Sequence, residues 1–231
     1  MTNTSSRKLD IVRHQVAIAG QVSDKETGLT IGNAIVEITA MPEKFKTKRS
    51  LQALQYGSEW ETLLKRCDRT TTAPDGFFYF IDLPPGEYTL TASLPGAATR
   101  YKQAKTTVTL PPPPEDIPNS PKFSLANLTL SPSGIRGKVT DLQDVAIARV
   151  NVKILGSGES TTTDAQGNYQ LIGLEAPKTE GDQRQVKVVF SAKGYREIIE
   201  DLQFSLGEVL EDKKIKLTKQ NGTLVPKNNT S

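Results

Sequence analysis

Hydrophobic and polar residues alternate along much of this chain with a period of two, the pattern typical of β-strands that bury one face. The clearest stretch is residues 70–92, in which Phe78 and Phe80 alternate with other strand-forming residues. Pro-Asp-Gly at 74–76 and Pro-Pro-Gly at 84–86 are turn signals around that run. The stretch therefore predicts strand, turn, strand, turn, strand.

The same pattern occurs twice. Three landmarks keep the same spacing in both copies: Gly76, Phe78 and Leu83 in the first, and Gly167, Tyr169 and Leu174 in the second. Three further segments match in the same order: residues 18–24 with 135–141, 34–38 with 148–152, and 88–92 with 188–192. A repeat of this length predicts two whole domains rather than a solenoid with a short period. Gly20, inside the first predicted strand, indicates a bulge or a close backbone approach.

The chain of 231 residues is long enough for two β domains that bury their cores without disulfides or metal. The predicted segments are a polar tail at 1–13, a first domain at 14–131, a linker at 132–134, a second domain at 135–218 and a polar tail at 219–231. A proline-rich loop at 111–122 lies within the first domain, because the second copy also has a loop before its last strand. The alternative is that this loop is a ligand segment for another protein.

Residues 41–69 interrupt the first copy and are helical in character. We expect Ser50 to cap a first short helix that carries Leu51 and Leu54 and that Gly57 breaks or kinks. Ser58 and Glu61 are expected to form a capping box for a second helix. The second helix would carry one apolar stripe, formed by Trp60, Leu63 and Leu64. The insert holds seven basic residues (Lys44, Lys46, Lys48, Arg49, Lys65, Arg66 and Arg69) against four acidic ones (Glu43, Glu59, Glu61 and Asp68).

Two interpretations of the insert stay open, and they are compatible. In the first, its apolar residues close one end of their own domain while its charges face water. In the second, it docks onto a partner, because Trp and Arg dominate interface energies. The residues predicted to bind a partner are Trp60, Leu63 and Leu64 as anchors, with Lys65, Arg66 and Arg69 as a charged rim.

The composition argues against nucleic-acid binding, metal or cofactor sites, and catalysis. The formal net charge of +3 is too small for a polycation that binds nucleic acid. Cys67 is the single cysteine and His14 the single histidine, so we expect no disulfide, no metal site, no cofactor and no catalytic set. Cys67 next to Arg66 would be acidified if exposed, but we interpret it as a plain cysteine and His14 as a strand histidine. Four aspartates are interpreted as turn residues: Asp24, Asp75, Asp141 and Asp164.

The repeated motifs carry a resemblance. Gly-x-Val-x-Asp, then Ala-x-Val-x-Ile/Val, then Pro-Asp-Gly-x-Phe or Thr-x-x-Asp-x-x-Gly-x-Tyr, then Leu-Pro-x-Gly-x-Tyr-x-Leu resemble the carboxypeptidase regulatory-like repeat. The resemblance covers both copies and implies two tandem seven-stranded Greek-key β-sandwich domains of the transthyretin-like (prealbumin-like) type, with a short helical insert in the first. It says little about function, because the module is attached to many unrelated proteins.

Some proteins with this type of domain are enzymes or carry an internal crosslink, and each of these functions requires particular residues. A zinc carboxypeptidase needs two metal-binding histidines, and the related purine-pathway hydrolases need several, whereas this sequence has His14 alone. Similar pilin-type sandwiches carry a Lys–Asn crosslink assisted by an acid, and Ala92 and Ala192 stand at that position here. The resemblance therefore implies a protein that is not an enzyme.

We expect a structural or adaptor protein whose partners are other protein subunits of a larger assembly. No stretch resembles a signal peptide or a membrane span, so we expect a cytoplasmic protein. Family members of that kind resemble accessory parts of phage-tail-like contractile injection particles. The alternative is an adhesion-type module that binds carbohydrate or peptide through exposed aromatic residues, with Tyr56, Trp60, Tyr101 and Tyr195 as candidates. The open edges of such sheets are compatible with self-association and with a foreign partner.

Overall fold

A computed structural model describes residues 14–63, 66–112, 123–179 and 181–220. One α-helix lies in the described part of the chain, α1 (Glu43–Tyr56), and a 3-10 helix follows it at Gly57–Thr62. The first nine strands are β1 (Val16–Asp24), β2 (Ile35–Ala40), β3 (Arg69–Thr71), β4 (Phe77–Ile81), β5 (Gly86–Ser93), β6 (Tyr101–Lys102), β7 (Ala104–Leu110), β8 (Ser124–Leu125) and β9 (Leu128–Pro132). The remaining strands are β10 (Gly134–Asp141), β11 (Asn151–Ile154), β12 (Ser160–Thr162), β13 (Asn168–Ile172), β14 (Arg184–Ser191), β15 (Ile198–Phe204) and β16 (Val209–Leu217).

The chain divides into two compact units. Of the described residues, those within 14–95 and 103–129 form unit 1, and those within 96–102 and 130–220 form unit 2. This confirms the predicted all-β class with a helical insert in the first part of the chain. The predicted domain boundaries, the linker and the count of seven strands per domain stay predictions.

In unit 1 two sheets enclose the core. One has the order β4-β1-β9, with the short β8 parallel to β1, and the other has the order β3-β2-β5-β7. Alternate residues of β4 and β5 face the core, so Phe78, Phe80, Tyr88 and Leu90 are at most 3% exposed. Burial of these apolar side chains is the main source of stability for such a domain.

Tyr88 also explains the motif Leu-Pro-x-Gly-x-Tyr. Its hydroxyl donates a hydrogen bond of 2.6 Å to the carbonyl of Pro84 in the preceding turn. The ring packs edge-on against Phe45 of α1, with centroids 5.9 Å apart. Burial raises the pKa of Tyr88 to about 12, so this tyrosine stays a neutral hydrogen-bond donor.

In unit 2 the two sheets have the orders β13-β10-β16 and β12-β11-β14-β15. Tyr169 of β13 and Phe190 of β14 meet edge to face across the core at 5.4 Å. Residues 96–102, which follow β5 in the sequence, belong to this unit. Arg100 donates a hydrogen bond of 2.9 Å to the carbonyl of Gly173, and the Thr99 carbonyl accepts one from the amide of Ala176. The repeat pattern in the sequence predicts that this segment belongs to the first domain, 14–131.

The two copies use the same hydrogen bonds. The Thr72 hydroxyl accepts from the Ala34 amide at 2.9 Å and donates to the Ile31 carbonyl at 2.8 Å. The Thr163 hydroxyl does the same with the Val150 amide at 2.9 Å and the Ile147 carbonyl at 2.7 Å. A buried threonine that fastens the loop before the second strand is thus the reason for the repeated Thr in the motif.

The turn roles of the four aspartates are confirmed. Each carboxylate accepts hydrogen bonds from backbone amides two to four residues later, which is the Asx-turn pattern. The pairs are Asp24 with Glu26 and Thr27, Asp75 with Phe77, Asp141 with Gln143 and Val145, and Asp164 with Gln166 and Asn168.

The close backbone approach expected at Gly20 is also confirmed. A Cβ on Gly20 would lie 2.0 Å from the carbonyl oxygen of Ala126. The matching Gly137 of the second copy would place a Cβ 2.0 Å from the carbonyl oxygen of Lys213. The glycine of Gly-x-Val-x-Asp therefore makes room for a neighbouring backbone in both copies.

Most of the proline-rich loop and the two tails fall outside the described residues. Pro111 and Pro112 follow β7, and the description resumes at Phe123. The strand predicted after the loop is present as β9.

Candidate docking site

The insert between β2 and β3 begins with α1. Pro42 precedes the helix in an extended conformation, and its carbonyl accepts the amides of Phe45 and Lys46 at 3.0 Å. The Pro42 ring occupies the space that a Cβ on Gly86 would fill, 2.3 Å away, which holds the start of the helix against β5. The prediction that Ser50 caps the helix is wrong, because the helix starts seven residues earlier and runs through Ser50.

The helix ends where the sequence indicated. Gly57 adopts φ 56° and donates its amide to the carbonyl of Ala53. The second α-helix and its Ser58–Glu61 capping box are wrong for the described residues, because Gly57–Thr62 forms a 3-10 helix without a side-chain cap. Trp60 lies on that turn and is 4% exposed.

Arg66 is the centre of a group of charges that reaches from the interior to the surface and that we call the ion cluster: Arg66, Asp68, Glu37, Glu61, Arg49 and Arg69. The Arg66 guanidinium donates to Asp68 at 2.9 Å, to Glu37 at 2.5 Å and to Glu61 at 3.1 Å. It also lies 4.8 Å from the centroid of the Trp60 ring, a cation–π contact. The side chains of Arg66 and Asp68 have no exposed surface.

Asp68 joins the helix to the sheet. Its carboxylate accepts a charged hydrogen bond from Arg49 of α1 as well as that from Arg66. Its backbone carbonyl accepts the amide of Ile38 in β2 at 2.8 Å. Arg69 adds a second contact to Glu37 at 3.3 Å. The insert is therefore fastened to its own domain through charged contacts that reach both α1 and β2.

These contacts locate the residues that were predicted to bind a partner. Trp60 and Arg66 are buried against their own unit, Leu63 is half-buried, and the Arg69 side chain is 19% exposed. Leu64 and Lys65 lie outside the described residues. The interpretation of the insert as a cap on its own domain is thus supported by contacts, and the partner-binding role of these six residues stays a prediction.

The exposed apolar surface of the insert lies elsewhere, on α1. Leu51 and Leu54 are 64% and 80% exposed, and Tyr56 is 47% exposed. With about 100° per residue, Leu54 lies opposite Phe45, the buried residue of the helix. The sequence predicts both leucines on one helix but does not separate the two faces of that helix. The position of Phe45 was the signal that could have separated them.

The single cysteine of the chain, Cys67, lies next to the ion cluster, and its surroundings change the pKa of its thiol. Burial raises the pKa of Cys67, and the neighbouring Asp68 carboxylate raises it further, against the opposing effect of Lys48 and Arg49. Cys67 therefore lacks the lowered pKa that an exposed thiol beside arginines would have. This environment does not favour the reactive thiolate.

We accordingly expect Cys67 to react with a neutral-pH thiol reagent at least about 10-fold more slowly in the folded protein than in denaturant. The rate of disulfide exchange with an aromatic disulfide, followed by absorbance at several pH values, measures this. A folded-state rate that matches or exceeds the denatured rate at pH 7 would show an activated thiol.

Unit 2 contains a polar cleft of about 550 Å³ on the outer side of the sheet β13-β10-β16. Its lining side chains include Arg136, Lys138, Thr162, Asn168, Gln170 and Lys214. Across the described residues, no cluster of three or more His, Cys, Asp or Glu side chains is placed to hold a metal ion. In that same part of the chain no helix has the length and apolar character needed to cross a membrane.

Comparisons with known proteins give distant similarities. Colossin-A from Dictyostelium discoideum is 27% identical over 130 residues, which is 46% of this chain and 1% of Colossin-A. The Bacillus anthracis TIE protein is similar over 89% of this chain and 34% of its own, with 14% identity and a TM-score of 0.34. The shaft pilin SpaA of Lactobacillus rhamnosus GG is similar over 90% of this chain and 99% of its own, with 12% identity and a TM-score of 0.41. The chain thus spans a small part of the first two relatives.

The family assignment rests on a wider match. The family described as the carboxypeptidase regulatory-like domain matches residues 17–115 and 134–218. The two matched segments correspond to the two copies found in the sequence, and together they cover most of the chain. This chain therefore belongs to the carboxypeptidase regulatory-like domain family, with two tandem copies of the domain.

Proposed function

We propose that this chain is a non-enzymatic structural or adaptor protein that docks onto a larger protein assembly through the outward face of α1. The observation that carries the proposal is the exposure of Leu51 and Leu54, at 64% and 80%, on the one helix of the described chain. If a partner buried these side chains completely, each leucine would contribute roughly 1.5–3 kcal/mol of favourable transfer free energy to binding.

The rigid attachment of α1 supports this role. Phe45 packs against Tyr88, and Arg49 pairs with Asp68, so two points along the helix are held to the domain. A surface that is already ordered loses little conformational entropy when a partner binds. The ion cluster then supports docking by holding the helix in place, rather than by contacting the partner.

The charges around the leucines indicate the kind of surface that fits. Lys44 and Lys48 are exposed on α1, near the two leucines. A partner with an apolar groove and an acidic rim would complement such a helix, as in helix-in-groove recognition. Complementary rim charges chiefly raise the association rate and the specificity.

The assembly that we propose is a phage-tail-like contractile injection particle that forms in the cytoplasm. This part of the proposal rests on the family context and is open to direct test. The docking surface itself rests on α1 and applies to any protein assembly that offers an apolar groove.

The variant Leu51→Gln/Leu54→Gln tests the docking surface. Glutamine keeps helix propensity close to that of leucine and removes the apolar contacts, so we expect the variant to stay folded and its recovery with the assembly to fall at least about 10-fold. Recovery is measured by sedimentation of particles from cells that express each tagged variant.

The matched control is Leu142→Gln/Leu155→Gln, which removes two leucines that are 57% and 56% exposed on unit 2. This control is expected to sediment with the assembly like the unchanged chain. Equal recovery of all three proteins would contradict docking through α1.

The polar cleft of unit 2 favours a second candidate, an adhesion-type module for carbohydrate. Its amide, hydroxyl and guanidinium groups are the kinds of group that orient a polyhydroxylated ligand. Of the aromatic candidates, Trp60 is buried and Tyr56 is 47% exposed on the insert. A glycan array probed with the full chain, and with Lys138→Ala/Asn168→Ala, would support this candidate if the chain binds and the variant does not. Absence of binding to every glycan would remove it.

A further inference from the structure

The outer side of the sheet β4-β1 in unit 1 carries large apolar side chains, which we call the aromatic face: Phe77, Tyr79 and Ile81 of β4, Ala19 of β1 and Leu125 of β8. The strand β4 alternates, so Phe78 and Phe80 enter the core while Phe77, Tyr79 and Ile81 point outward. The outward residues are 55%, 52% and 39% exposed, and Leu125 is 69% exposed. A contiguous apolar surface of this kind marks an interaction site more often than isolated apolar residues do.

The second copy shows that the fold does not require this surface. Gln170 and Asn168 of β13 occupy the positions of Tyr79 and Phe77, and both are exposed. Arg136 and Lys138 of β10 occupy the positions next to them on the adjacent strand. The same face of the same fold is thus apolar in unit 1 and polar and charged in unit 2, so its apolar character in unit 1 calls for a function other than folding.

The aromatic face has a ridge-and-groove shape. Strand pairing places Tyr79 beside Ala19 on one side, and Leu125 beside Ala19 on the other. The small Ala19 therefore forms the floor of a groove between two large side chains. A surface with both ridge and groove can interlock with an identical surface, which is the requirement for contact around a two-fold axis.

The size of the face fits a modest dimer. The four large side chains expose on the order of 400 Å² of apolar area, given full areas of 150–250 Å² for aromatic residues. A polar rim of similar area would bring each copy to the ~800 Å² per partner of standard interfaces. These five residues carry no charge, so the same apolar face of a second chain can cover them without burying an unpaired charge.

We propose that the aromatic face of unit 1 binds the aromatic face of a second copy of this chain, which makes a two-fold dimer. The two sheets would pack face to face, as sheets do inside a β-sandwich. This surface is separate from α1, so dimerisation and docking onto an assembly are independent of each other.

The test transfers residues from the second repeat of the chain to the first repeat. In the variant Phe77→Asn/Tyr79→Gln, unit 1 receives the residues that unit 2 already carries at these positions, so the strand is expected to fold. The control is Leu51→Gln/Leu54→Gln, which removes exposed apolar residues from α1 instead. Sedimentation equilibrium of the full chain over about a hundredfold range of concentration gives each dissociation constant.

We expect the unchanged chain and the control to form dimers, and the exchange variant to dissociate at least about 100-fold more readily, with an unchanged far-UV circular dichroism spectrum. Hydrogen exchange should slow at residues 77–81 as concentration rises. A monomer at every concentration, a dimer that persists in the exchange variant, or growth into larger polymers would overturn the proposal.

Discussion

Replacing Arg66 with Ala is expected to destabilise unit 1 by about 3–5 kcal/mol, the usual cost of leaving one partner of a buried ion pair without the other. The Asp68 carboxylate has no exposed surface and would keep only Arg49. Glu37 and Glu61 would each lose their contact with the Arg66 guanidinium, and Trp60 its cation–π contact. The loss combines an uncompensated buried charge with a cavity, because the Arg66 side chain is itself fully buried.

Trp60 is the single tryptophan and lies beside the substituted residue, so its fluorescence during denaturant unfolding reports on unit 1 alone. The control Lys46→Ala removes an exposed ion pair of 3.1 Å with Glu43 on the same insert, and should change stability by less than about 0.5 kcal/mol. A third variant, Arg66→Met/Asp68→Leu, removes both charges and should recover most of the loss. If Arg66→Ala unfolds at the same denaturant concentration as Lys46→Ala, the cluster does not hold the insert.

Replacing Gly137 with Ala is expected to destabilise unit 2 by about 3 kcal/mol or more, because the new methyl group would overlap a backbone atom. Its Cβ would lie 2.0 Å from the Lys213 carbonyl oxygen and 2.8 Å from the carbonyl carbon. No side-chain rotation relieves that overlap, so β10 and β16 must separate at their parallel pairing. The parallel contact joins β10 to β16, the last strand of unit 2, and its loss would expose the core around Ile215 and Leu217.

The matched control is Gly158→Ala, at a glycine of the same unit where a Cβ would meet nothing within 4 Å. Thermal unfolding followed by far-UV circular dichroism should show an early transition in Gly137→Ala only, while the Trp60 fluorescence transition stays unchanged. A stability equal to that of Gly158→Ala would mean that the strands can shift apart at little cost.

Much of the fold was predictable because the same pattern of strands and turns occurs twice in the sequence. The alternation of Phe78 and Phe80 with outward residues defines β4, and the matching spacing around Gly167 defines β13. Gly20 and the turn aspartates could be interpreted from local chemistry alone, because their hydrogen bonds and contacts depend on few residues. The role of the buried Thr72 required the structure, because its partners Ile31 and Ala34 lie about forty residues earlier in the chain.

The insert was less predictable because its conformation is decided by contacts with the rest of unit 1. A local preference placed a cap at Ser50, whereas Pro42 against Gly86 sets the start of the helix. The basic residues of the insert were expected on the surface, but Arg66 is buried because acidic partners from β2 and from the insert surround it. Sequence spacing does not show that such partners meet.

The aromatic face was visible in the alternation of β4, yet its exposure was not. A strand with large residues on both sides is equally consistent with a second covering layer. The signal was the difference between the copies, Phe77 and Tyr79 against Asn168 and Gln170. A comparison of outward positions between repeats of one chain therefore locates surfaces whose chemistry the fold does not dictate.

The central claim, docking onto a larger assembly, is tested most directly by sedimentation of the native protein from a gentle lysate of its source, with the gradient blotted for this chain. The account predicts that the protein sediments with particles of megadalton size, and that competition with excess purified chain, but not with Leu51→Gln/Leu54→Gln, releases it. Sedimentation of all the protein as monomer or dimer would contradict the claim and leave carbohydrate binding by unit 2 as the function to test.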